Sequence, residues 1–200
     1  MNLQRRFLAT GSNGMRVAPA RRAGDSIGTV DGYAAVFNSL SHDMGGWRER
    51  LAPGAFANAL RATDLPILAL YDHAFGNLLG STANGTLRLT EDAKGLRFSL
   101  DLPDTSAGRD VLALVQRGDL PGASFGFTLD KRGSEWVKGA GGMAVNVIRQ
   151  VKALREISIV ALPAYPAAYT MAAPTKPETP TQARCRQAVE RMRRAVAAAG

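Results

Sequence analysis

The chain has little of what several function classes require. Cys185 is its only cysteine, so an internal disulfide framework is excluded and a reducing compartment is the expectation. His42 and His73 are the only histidines. With one Cys they make a poor supply for a metal site, which needs three or four ligands, so no metal and no cofactor is expected. Aromatic residues make up only 6% of the chain while hydrophobic residues make up 46%, so aliphatic side chains must fill most of the core. No apolar run approaches the ~18 residues needed to span a bilayer. The first residues, MNLQRRFLATGSNGMRV, are basic without a following apolar stretch and do not read as a secretory signal. These absences predict a soluble cytoplasmic protein without a membrane partner.

What is present is positive charge, and its placement matters more than its amount. The formal net charge is +8, yet residues 1–22 hold five Arg and no acid, and residues 173–200 hold six bases and two acids. The body between them therefore carries about −1. A folded nucleic-acid reader carries its basic patch on the folded surface, so specific nucleic-acid binding is not expected.

The composition divides the 200 residues into a basic arm over 1–25, a folded domain over 26–170 and a tail over 171–200. Five prolines between Pro163 and Pro180 mark a linker, and Cys185, Val189, Met192 and Val196 recur at the spacing of a short amphipathic helix. Within the domain, residues 27–37 read as a strand, Pro53 as the start of a short helix, and 65–71 as a buried strand. Segments 86–90 and 95–102 alternate and predict a hairpin. A helix is predicted over 106–117, capped by Thr105 or Ser106 and ended by Gly118. Further strands are predicted over 123–129, 145–151 and 154–162, with RGSEWVKGAGG as a long mobile connection between the first two. Many short strands and few helices, without regular βαβ alternation, predict a mainly β, barrel-like α+β domain.

Three residues can carry chemistry together. His73 follows an apolar strand and could act as a base, since imidazole titrates near neutrality. Ser124 lies between Gly122 and Gly126, which allow close backbone approach, and a serine becomes a nucleophile when a base stands beside it. Glu156 is one carboxylate in an otherwise apolar strand and could hold the imidazole tautomer. Residue types alone leave other readings open. A serine among glycines is usually a turn or strand residue, and a strand glutamate usually faces water. His42 beside Asp43 is a rival base, on a poorer, loop-borne platform.

Six segments in order carry a family resemblance: GYAAVF, RERLAPGAF (48–56), LYDHAFGNLLGST (70–82), EDAKGLRFSLDLP (91–103), LVQRGDLPGASFGF (114–127) and LREISIVALPAYPAAY (154–169). Together they span about residues 27–170, and the chain resembles the prohead maturation proteases of HK97-like tailed phages. The resemblance implies a serine endopeptidase with His73 and Ser124 as the catalytic pair and Glu156 as the third member. It implies a closed or nearly closed β-barrel with a few surrounding helices, as in the similar herpesvirus assembly proteases. It also implies partners, namely the major capsid protein or its scaffold segment and further copies of the protease, and a place inside the assembling prohead. A non-enzymatic capsid or scaffold assembly protein is the alternative.

Overall fold

The structure is a computed structural model that describes residues 26–62 and 65–172, the last four through their backbone. The arm expected over 1–25 and the helix expected beyond the linker lie outside the described residues. In chain order the elements are β1 (Ser26–Val36), β2 (Trp47–Leu51), α1 (Ala57–Arg61), β3 (Leu68–Tyr71), β4 (Ala74–Ser81), β5 (Leu87–Glu91), β6 (Gly95–Pro103), α2 (Ser106–Arg117), β7 (Gly122–Leu129), β8 (Ser134–Lys138), β9 (Ala144–Ile148), β10 (Val151–Val160) and β11 (Tyr169–Ala172). No helix among the described residues is long and apolar enough to cross a membrane.

The clearest sequence signals become the clearest elements. In α2 the Thr105 hydroxyl accepts the Gly108 amide at 3.2 Å, and Gly118 ends the helix in the left-handed region at φ 86°. Val111 and Val115 bury its apolar stripe. The β5–β6 hairpin closes on Asp92, whose Oδ1 accepts the amides of Lys94 and Gly95. Its Oδ2 accepts the Tyr33 hydroxyl at 2.6 Å, the main reason its carboxyl is held below the usual carboxylate range. A side chain at Gly95 would stand 2.0 Å from the carbonyl oxygen of Ala35, so β6 can lie against β1 only with glycine there.

Three expectations need correction. The helix begins at Ala57 rather than Pro53, because Gly54 takes a left-handed φ of 85° that no helical turn accepts. The RGSEWVKGAGG connection contains β8, which pairs antiparallel with β9 and sets Trp136 edge-on to Trp47 at 5.2 Å. The strand expected over 145–151 is two strands, since the amides of Arg149 and Gln150 both turn back to the carbonyl of Gly133.

The closed barrel is also overturned. Three open sheets occur among the described residues, ordered β11–β1–β6–β5, β4–β3–β10–β7 and β2–β9–β8. Closure fails because ladder positions are already filled. Both edges of β1 are taken by β11 and β6, so β7 packs on β1 without pairing. Between β4 and β5 a side chain stands in for a ladder, the Thr86 hydroxyl accepting the Ser81 amide at 2.9 Å and facing its carbonyl at 3.3 Å. The sheets are joined instead by an apolar core. Phe125 lies at its middle, 5.5 Å from the Phe56 ring, 5.2 Å from Phe127 and 5.9 Å from Tyr165. Replacement Gly95→Ala is expected to lower stability by roughly 2–3 kcal/mol through this forced contact, measured as a shift in the urea midpoint at constant slope.

Candidate active site

The site is built on one face of the β4–β3–β10–β7 sheet. Its other face carries Phe125, Phe127, Ile157 and Ile159 into the core. Parity along β10 would place Leu154 and Glu156 on the same face. The register shows otherwise: Leu154 pairs with Phe127 and Glu156 with Gly126, skipping Arg155. That β-bulge sends Leu154 to the core and Glu156 to the opposite face. Below the bulge alternation resumes, so Ser158 shares the face of Glu156 and stands across from Ser124.

His73 arrives from the neighbouring strand. Tyr71 pairs with Ala74, leaving Asp72 and His73 as a two-residue hairpin loop. Both have positive φ, 53° and 57°, the backbone of a type I′ turn, which usually employs Asn and Gly. Two non-glycine residues there cost about 1 kcal/mol or more each, which the surroundings must offset. The Asp72 amide donates to the carbonyl of Ile159, and the His73 amide donates to the Ser158 hydroxyl at 3.2 Å.

The turn delivers the imidazole to Glu156. Nδ1 of His73 lies 2.7 Å from Oε1 of Glu156, and Ser158 donates its hydroxyl to Oε2 at 2.6 Å. His73 is 3% exposed and Glu156 and Ser124 are 1% exposed. An ionised carboxylate only accepts, so with Glu156 in that form the imidazole proton belongs on Nδ1 and Nε2 is left as the accepting nitrogen. Gly126 makes this possible, because a Cβ at that position would sit 2.5 Å from Oε1 of Glu156.

The structure thus brings His73 and Glu156 into direct contact and sets Ser124 on the same face, in the strand beside Glu156. Asp43 is exposed, and its Oδ1 accepts the amides of Gly46 and Gly45, which hold its carboxyl below the usual range. Sequence reasoning missed Ser158 and the role of Gly126. The first was legible as the second polar residue of EISIV, two positions from Glu156.

The sequence model of the family described as Caudovirus prohead serine protease matches residues 17–182. The chain belongs to that family. Among curated proteins, the prohead protease of Enterobacteria phage HK97 is 31% identical to this family member over 138 residues, 68% of this chain and 56% of the phage protein. The chain therefore spans little more than half the length of that relative. Among solved structures, a KSHV protease in complex with a hexapeptide phosphonate inhibitor aligns with a TM-score of 0.43 and 14% identity, covering 72% of this chain and 64% of the other. That likeness is too slight to carry an argument.

Replacement Gly126→Ala is expected to push the carboxylate off the ring and abolish the downfield proton signal of a hydrogen-bonded Nδ1. Gly76→Ala, where a Cβ meets nothing within 4 Å, should preserve that signal in the same proton NMR spectrum.

Proposed function

We propose that this chain is a serine endopeptidase of phage prohead maturation, with Ser124 as nucleophile, His73 as general base and Glu156 as the group that orients the base. The reading is supported above all by the 2.7 Å contact between Nδ1 of His73 and Glu156, buried on the face that carries Ser124. A buried acid–imidazole pair beside a serine is the arrangement acyl transfer needs, because the hydroxyl must lose its proton as it attacks.

In the proposed reaction the Ser124 oxygen attacks a peptide carbonyl while Nε2 of His73 takes its proton. Glu156 stabilises the imidazolium through Nδ1–H and does not itself take the proton. His73 then donates that proton to the leaving amine, and a water attacks the acyl-enzyme by the reverse sequence. No cofactor enters these steps. The proposed substrates are the major capsid protein or its scaffold segment, and further copies of this chain, inside the assembling prohead in the host cytoplasm.

Replacing Ser124 or His73 with alanine is expected to eliminate cleavage of the cognate capsid protein while the far-UV spectrum stays that of the parent. Glu156→Gln, which holds the wrong tautomer, should slow cleavage roughly 10²–10⁴-fold. Gel and mass-spectrometric mapping of the products checks all three, and normal trimming by folded Ser124→Ala would refute the reading.

A further inference from the structure

Ser158 is fully buried in β10, between Ile157 and Ile159, which enter the core. Nothing in the ladder requires a hydroxyl at that place, because strand pairing uses the backbone alone. Burying a hydroxyl without partners is unfavourable, and here both of its partners belong to one group of residues. Its oxygen accepts the amide of His73 at 3.2 Å, and its proton goes to Oε2 of Glu156 at 2.6 Å. The other carboxylate oxygen meets Nδ1 of the same histidine at 2.7 Å.

These contacts close a ring that starts at the backbone of His73 and returns to its side chain. A peptide N–H can only donate, so it fixes the direction of the first bond. The single hydroxyl proton is then aimed at Glu156, whose second oxygen is left to accept Nδ1–H. Because both ends of the circuit are on His73, turning the imidazole plane breaks the Nδ1 contact with Glu156 that closes it.

We propose that Ser158 is a positioning residue for the reaction, its hydroxyl tying the His73 backbone to the Glu156 carboxylate and so fixing the tautomer and aim of the imidazole toward Ser124. The inference rests on the reading of Ser124, His73 and Glu156 as the reacting set. It adds a fourth side chain that touches no substrate and acts through the other two.

The test compares Ser158→Ala with Ser158→Thr, which keeps the hydroxyl. The first readout is the rate at which a fluorophosphonate labels Ser124. The second is the ¹⁵N spectrum of His73, recorded in a Ser124→Ala background and assigned with His42→Gln, since the chain has only 2 histidines. Ser158→Ala is expected to slow labelling roughly tenfold or more and to turn one Nδ1–H tautomer into a mixture, with its fold retained. Ser158→Thr should restore the tautomer and labelling to within about threefold. If the alanine variant does not fold, Ser158→Cys replaces it, being similar in shape but a weak donor. An unchanged tautomer or labelling rate, or a threonine variant no better than alanine, overturns the proposal. If the parent protein is never labelled at Ser124, the peptidase reading fails, while the ¹⁵N comparison still decides whether Ser158 governs the ring.

Discussion

A carboxylate at 1% exposure is the constraint around which this sheet is arranged. Glu156 is tolerable there because each oxygen meets a donor, Nδ1 of His73 on one side and the Ser158 hydroxyl on the other. A buried polar group is tolerated only where its hydrogen bonds are made, so the three side chains are coupled through this one carboxyl. The same contacts help hold His73 in a backbone conformation that its side chain disfavours. Strain in the turn and charge in the strand are thus offset by one set of hydrogen bonds.

Two backbone features create that set. The bulge at Arg155 breaks the alternation of β10, so that Leu154 feeds the core and Glu156 does not. Gly126 leaves the neighbouring strand bare where the carboxylate lies across it. Neither carries chemistry itself. Each governs where a chemical group can be, which is why a glycine and a bulge stand beside the ionisable residues.

Much of this was legible in the sequence, and the failures have physical causes. Helix α2 was readable because its signals are local: a capping Thr105, valines at helical spacing and a terminal Gly118. The β5–β6 hairpin was readable because its alternation is clean. Strands β2 and β8 were hidden because WRERL and SEWVK are short and charged, and β2 finds its partner β9 far along the chain. The break between β9 and β10 was invisible because it depends on the carbonyl of Gly133, also distant in sequence. His73, Ser124 and Glu156 could be named from residue types and family resemblance. The bulge that aims Glu156 could not, since one-residue slips leave no mark on composition.

The open sheets bear on the same point. A strand pattern predicts that edges exist, and it does not say which edges meet. Here β1 is saturated by β11 and β6, and the Thr86 hydroxyl takes over at Ser81, so closure is replaced by packing around Phe125. Ser124 and Phe125 are adjacent in β7 and face opposite ways, one toward the site and the other into that packing. The core therefore fixes the strand on which Ser124 rides, and the bulge in β10 fixes the carboxylate beside it. Site geometry in this chain follows from how one sheet is pinned to the aromatic core, and it does not need a closed wall of strands to be rigid.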